Sequence, residues 1–240
     1  MKEGEYMGPY FYYYDPTYIL VFIGVILSLL ASAKVKSTFS KYSNVRSMSG
    51  MTGAEAAQKI LHRAGIYDVG IERVQGHLTD HYDPRKKVLR LSDSVYGSNS
   101  IAAIGVAAHE CGHAIQHQEA YAPLSIRSAL VPVANFGAAI SWPLILIGLF
   151  LTGSQTLINI GIALFSTAVL FQLVTLPVEF NASKRAIQRL GDTGILYGDE
   201  LSKTKKVLNA AALTYVAAAA ATILQLLRLI ILFGGRRSDD

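Results

Sequence analysis

The sequence predicts a mainly α-helical integral membrane protein with about four transmembrane helices and a small β-hairpin or sheet. Three observations carry that expectation. Apolar residues make up 51% of the 240-residue chain and charged residues only 16%, whereas a soluble domain is about a quarter charged. Four apolar stretches, at residues 18–33, 129–151, 157–176 and 210–233, approach the roughly 20 helical residues that cross a bilayer. The polar remainder falls into two blocks, 34–128 and 178–209.

The N-terminal tail, residues 1–17, carries Tyr10-Phe11-Tyr12-Tyr13-Tyr14. Aromatic residues beside an apolar span favour the headgroup layer, so an interfacial belt is expected rather than a ligand-binding aromatic box. The first span, 18–33, has a rival reading. Its apolar core has the length of a signal-peptide core, and Ala31-Ser32-Ala33 resembles a small-residue cleavage site. The preceding charges are Lys2 against Glu3, Glu5 and Asp15. That balance is the reverse of a signal peptide's, so a retained anchor is expected.

In the block 34–128, Thr52-Gly53-Ala54-Glu55 forms a capping-box pattern. Ala56, Ala57, Ile60, Leu61 and Ala64 follow with helical spacing, and Gly65 ends the run. Val69, Ile71 and Val74 alternate like a short strand. The segments 76–83 and 87–92 flank Pro84-Arg85 and read as a hairpin. Spans two and three form a hairpin, 129–177, joined by the uncharged link 152–156. Pro132 and Pro143 lie in its first arm, where neighbouring helices can satisfy freed carbonyls. The block 178–209 precedes the fourth span, 210–233, in which Arg228 is expected to snorkel or to mark the interface. A tail, 234–240, ends the chain.

Charge sets orientation. Lys and Arg number 12 in residues 34–128, 6 in 178–209, one in the N-terminal tail and none in the link. The positive-inside rule therefore places both polar blocks in the cytoplasm, although Arg236 and Arg237 argue mildly the other way. The net charge of +5 forms no strong basic face, so nucleic acid is not an expected partner; the lipid bilayer is. Cys111 is the sole cysteine and can form no internal disulfide.

His109-Glu110-Cys111-Gly112-His113 is H-E-x-x-H. Helical positions i and i+4 share a face, so both imidazoles can reach one metal ion. Zinc suits nitrogen ligands and, in catalytic sites, keeps one position for water. The intervening glutamate can take that water's proton. Ser98-Asn99-Ser100 offers an N-cap for the helix, which runs from Ile101 without proline. Gly112 costs helix propensity, which points to close packing there. One zinc ion per chain is expected, with His109 and His113 as ligands and Glu110 as general base and acid.

A third ligand is needed. His117 lies two helical turns, about 12 Å, from His109, too far to share an ion already held by His113. Glu119 stands where a metzincin would have its third histidine. Glu119 and Glu200 are on the right side of the membrane, but Glu179 is the best candidate. It follows Pro177 where the third span meets its polar block, and two crossings return it to the side of the His helix. Ser183, at i+4 from Glu179, can hydrogen-bond a ligand. Asn181 and Arg185 form a second i, i+4 pair. Arg185 could stabilise an oxyanion, but with Lys184 and Arg189 it is expected rather to meet anionic headgroups. A second metal site at His77, His81 and Asp83 competes with an ordinary turn-flanking role, which is the expectation.

The segment from Gly76 to Pro84, the helix around His109 to His117, and Leu176-Pro177-Val178-Glu179-Phe180-Asn181-Ala182-Ser183 together resemble the YugP-type family of bacterial membrane neutral zinc metallopeptidases. The resemblance extends to Leu208-Asn209-Ala210-Ala211-Ala212-Leu213-Thr214-Tyr215 and covers nearly the whole chain. It implies a multi-pass protein of the bacterial inner membrane with peptidase activity. More distantly, the layout is similar to the gluzincin membrane peptidases of the HtpX and CAAX-protease group, whose E-x-x-x-D helix supplies the third ligand. The matching positions are Glu179 and Ser183, so serine replaces aspartate here.

The expected function is zinc-dependent endopeptidase activity on membrane proteins or peptides near the surface. An exposed strand beside the His helix could bind an extended peptide by strand addition. Two alternatives stand beside it. A site-2-type intramembrane protease would use an aspartate within the membrane as third ligand, and none of the four stretches contains one. A zinc-stabilised scaffold without enzymatic activity would close the fourth coordination position.

Overall fold

The computed structural model describes residues 15–234. Its helices are α1 (Tyr18–Ser43), α2 (Gly53–Arg63), α3 (Asp93–Tyr96), α4 (Ile101–Gln118), α5 (Ala122–Leu146), α6 (Gln155–Asp192) and α7 (Gly198–Phe233). The strands are β1 (Gly70–Val74), β2 (His81–Asp83) and β3 (Val88–Ser92). Four helical segments have the length and apolar content to cross a membrane: α1, α5 with its π-helical continuation to Thr152, α6 and α7. The chain is a multi-pass membrane protein.

All four spanning helices are longer than their apolar stretches. The 38 residues of α6 reach about 57 Å at 1.5 Å per residue, nearly twice a hydrocarbon core of ~30 Å. Apolarity marks only the part facing lipid; the backbone ladder continues wherever no breaker stops it. Thus α1 runs on through Ala31-Ser32-Ala33 to Ser43. Pro177 lies inside α6, and Pro132 and Pro143 lie inside α5. Helix α7 begins twelve residues ahead of its apolar stretch, with Asp199 and Glu200 in its first turn, where the helix dipole favours acidic groups.

In the membrane layer α5 packs on α6, α1 on α7, and α6 on α7. Lipid supplies no hydrophobic drive between helices, so close approach at small residues substitutes for it. Gly161 shows this: a Cβ there would lie 2.8 Å from the Ser141 carbonyl oxygen. At the end remote from the polar blocks, Arg228 binds Asp15 at 2.7 Å and the Thr17 hydroxyl at 3.1 Å. Its guanidinium also lies 4.2 Å from the centre of the Tyr18 ring. It therefore staples the start of α1 to the end of α7 instead of standing alone at the interface. The aromatic run Tyr10 to Tyr14, Arg236 and Arg237 lie outside the described residues.

Outside the membrane layer, a second core surrounds α4. Ile60 and Leu61 of α2, Leu89 and Leu91 of β3, Ile104, Cys111 and Ile115 of α4, and Leu190 of α6 are buried in it. The capping box forms as the sequence pattern predicts: the Thr52 hydroxyl accepts from the Glu55 amide, and the Glu55 carboxylate accepts from the Thr52 amide. Ser100 caps α4 by accepting from the Ala103 amide at 3.2 Å. The expected hairpin is β2 antiparallel to β3, with Tyr82 opposite Leu89. β1 adds to the other side of β3 in parallel, giving the order β1-β3-β2.

Gly112 sets how closely α4 lies on α6. A Cβ at this position would sit 2.5 Å from the Ala182 carbonyl oxygen. Backbone cannot give way as a flexible side chain would. Gly112→Ala gains about 1 kcal/mol of helix propensity, yet overpacking costs roughly 1–3 kcal/mol. The expected net result is a lower unfolding temperature in detergent, read by circular dichroism; an unchanged or higher midpoint would refute the packing argument.

Candidate metal centre

The His helix, α4, is wrapped by α2, the sheet, α6 and α7, and most of its residues are buried. It is not among the helices apolar enough to cross a membrane. One atom each from His109, His113 and Glu179 lie within 4.8 Å of one another. A Glu179 oxygen, Oε2, is 3.3 Å from His109 Nε2 and 3.5 Å from His113 Nε2. Ligand bonds of about 2.05 Å at tetrahedral angles put neighbouring ligand atoms about 3.3–3.4 Å apart. Two imidazole nitrogens and a carboxylate oxygen are also a donor set zinc accepts, so these residues fit the ion. They form the sole such group among the described residues.

Glu179 is 2% exposed, which is costly for a carboxylate unless charge or hydrogen bonds answer it. Helix α6 puts it there by emerging from the membrane and continuing along α4. Its other oxygen, Oε1, faces Arg127 of α5 at 3.8 Å.

Both imidazoles are held from behind. His109 Nδ1 lies 3.1 Å from the Ser183 hydroxyl, so this serine contacts the histidine. His113 Nδ1 lies 3.0 Å from Gln116 Oε1. The amide of Gln116 donates to the Val178 carbonyl at 2.8 Å and to Asn181 Oδ1 at 2.9 Å. With its NH2 so used, its oxygen is left to accept from His113 Nδ1–H, and His113 Nε2 faces Glu179 Oε2. Arg185 extends the chain, donating to Asn181 Oδ1 at 2.7 Å and pairing with Glu119 at 2.7 Å. The guanidinium thus pairs with Asn181 and Glu119 and does not line the cleft described below. Burial works against the charged form of His113, but the Glu179 hydrogen bond and the charges of Glu110 and Glu179 raise its pKa above the ordinary histidine value.

The other sequence candidates lie elsewhere. The His117 imidazole meets the Tyr82 hydroxyl at 2.9 Å. Glu200 accepts from the Met48 amide at 2.8 Å. His81 and Asp83 both face Arg90, at 3.4 Å and 3.1 Å, so they serve the sheet. Cys111 is fully buried, which pushes its thiol pKa well up and keeps it a neutral core residue.

A cleft of about 920 Å³ opens onto the centre. Glu110, His113 and Glu179 line its floor, Tyr82 and Arg85 one side, and Arg127, Asn135 and Tyr215 the side formed by spanning helices. Asp80 also lines it. Burial raises the pKa of Asp80, against the Ser92 amide and hydroxyl that bind its carboxylate. Sequence patterns do not single out Gln116, Arg127 or Tyr215. Tyr215 alone carried a signal, as a polar residue inside the apolar run of α7.

Residues 17–234 match the family described as "Putative neutral zinc metallopeptidase", and the chain belongs to it. It is similar to the protein of Bacillus subtilis (strain 168) named "Putative membrane protease YugP", with 53% identity over 214 residues that cover 89% of this chain and 95% of the relative. No solved structure matches the chain.

Removing a hydrogen bond behind a metal-binding histidine typically costs 10–100-fold in metal affinity. Gln116→Leu is therefore expected to weaken zinc binding by about 10–100-fold, measured by competition with a chromogenic chelator. Unchanged affinity would show that His113 does not depend on this amide.

Proposed function

We propose that this protein is a zinc-dependent endopeptidase acting on membrane proteins or peptides at the bilayer surface. The observation that carries the reading is the buried Glu179, delivered by a spanning helix to both histidines of H-E-x-x-H. His109, His113 and Glu179 would hold one zinc ion. When bound, that ion would polarise a carbonyl and lower the pKa of a water towards neutrality.

The chain's own groups do the rest. Glu110, on the cleft floor, takes the proton of the attacking water and passes it to the leaving amine. Ser183 and Gln116 keep both Nε2 atoms facing the centre. Arg127 and Tyr215, on the membrane-side wall, offer N–H and O–H donors for the negative charge that builds on the attacked carbonyl oxygen. β2 is an edge strand, and His81 and Tyr82 line the cleft, so an extended substrate can pair with it by strand addition.

One wall of the cleft is α5, with Val131 and Pro132 lining it. A substrate reaching the centre therefore touches a spanning helix, which favours segments next to a membrane anchor. The charge distribution supports a bacterial inner-membrane location with the centre on the cytoplasmic side. The burial of α4 among protein elements and the Glu179 contact oppose an intramembrane site-2 arrangement.

The deciding experiment compares purified wild-type and Glu110→Gln protein for zinc content and for hydrolysis of a membrane-anchored peptide. Hydrolysis by the wild type alone, with equal zinc in both, is the expected result. Equal hydrolysis by both proteins would overturn the mechanism, and zinc without hydrolysis in either would favour a scaffold.

A further inference from the structure

A second concavity, of about 630 Å³, lies between α1, α6 and α7, away from the metal centre. Lys34, Lys41 and Lys206 line it together with Phe180, Leu213 and Val216. The three lysines are exposed, and none forms an ion pair among the described residues. No acidic side chain lines the groove. The three apolar residues are exposed as well, by 41–49%, as lipid-facing side chains are.

Lys34, Phe180 and Lys206 lie at the boundary of the apolar stretches, and Lys41 lies seven residues, about 10 Å, beyond Lys34 towards the polar blocks. Lys34 immediately follows the apolar stretch of α1, Phe180 stands four residues beyond that of α6, and Lys206 four residues ahead of that of α7. Along α7, Leu213 and Val216 lie about 10 and 15 Å from Lys206 towards the bilayer, at 1.5 Å per residue. The groove is thus cationic at headgroup depth and apolar at acyl depth. Thr38 and Asn209 add hydroxyl and amide groups between the lysines.

We propose that this groove binds an anionic diacyl phospholipid, its phosphate among Lys34, Lys41 and Lys206 and an acyl chain passing Phe180 at the boundary to run along Leu213 and Val216. The charge complementarity selects an anion, and the apolar wall selects a lipid over a soluble phosphate. Basic pockets between spanning helices on the polar-block side are suited to such headgroups. The site depends on no part of the peptidase reading.

The test uses the full chain, delipidated in neutral detergent and titrated with phosphatidylglycerol, phosphatidylcholine or soluble glycerol phosphate. Bound lipid is counted by native mass spectrometry. Phosphatidylglycerol is expected to bind about tenfold or more tightly than phosphatidylcholine, from ~1 kcal/mol per basic residue. The combined variant Lys34→Gln, Lys41→Gln, Lys206→Gln is expected to lose that preference. Lys34→Arg, Lys41→Arg, Lys206→Arg is expected to keep it, as is the control Lys36→Gln, Lys184→Gln, Lys205→Gln at the same interface. Far-UV circular dichroism checks that each variant is folded. Retained preference in the Gln variant of the groove overturns the proposal. So does an equal loss in the control, which would assign the effect to general surface charge. Full displacement of phosphatidylglycerol by glycerol phosphate also overturns it, since the acyl wall would then contribute nothing.

Discussion

Glu110→Gln protein will retain one zinc ion per chain and hydrolyse peptide about 10²–10⁴-fold more slowly than the wild type, the range that positioned acid–base groups contribute. Glutamine has nearly the shape of glutamate, so the cleft floor stays filled. Its amide cannot accept the proton of the attacking water, nor hold one for the leaving amine. The metal-binding set is untouched, because Glu110 is not one of the three residues brought together at the centre. At 8% exposure, it sits where bulk water is a poor substitute for a positioned base. The measurement is a kcat with saturating membrane-anchored peptide, alongside metal analysis of the same sample. A fall in zinc content parallel to the fall in rate would assign Glu110 a structural role instead.

Glu179→Ala will lose stoichiometric zinc. The change removes one of three donors and also the only carboxylate within ion-pair distance of Arg127 among the described residues. The loss in affinity should therefore exceed the 10–100-fold typical of a hydrogen-bond partner behind a ligand. Glu179→Gln separates the two effects. Its carbonyl oxygen can still face the histidines, but the negative charge is gone, so its affinity should fall between the wild type and the alanine variant. Both are read by chelator competition at equilibrium. Full zinc occupancy in Glu179→Ala would move the third ligand elsewhere and remove the main support for a centre completed from the membrane.

Much of this arrangement was legible in local pattern. H-E-x-x-H, the Thr52 capping box and the hairpin around Pro84-Arg85 are written in residues a few positions apart. Counting crossings was enough to bring Glu179 to the side of the His helix. Other features depend on elements distant in sequence. The parallel pairing of β1 with β3 joins strands separated by β2, and no local signal announces it. Arg228 reads alone as a snorkelling cation; only the antiparallel packing of α1 and α7 supplies Asp15. Helix ends are not legible in the apolar stretches, because apolar content reports lipid contact, whereas α6 runs 38 residues. Gln116 escaped notice because its partner Asn181 lies on another helix, so its role exists only once Gly112 has let α4 and α6 meet.

The continuity of α6 has a practical consequence. Two donors come from a region between membrane spans, while the third, with Ser183 and Asn181, is carried on the same rod that crosses the bilayer. Arg127 and Tyr215 come from two further spanning helices. The water-exposed region between α1 and α5, cut out and expressed alone, would retain the signature motif yet lack what completes and orients it. Biochemistry on this protein has to be done on the intact membrane-embedded chain, because the residues brought together at the centre have no separable soluble half.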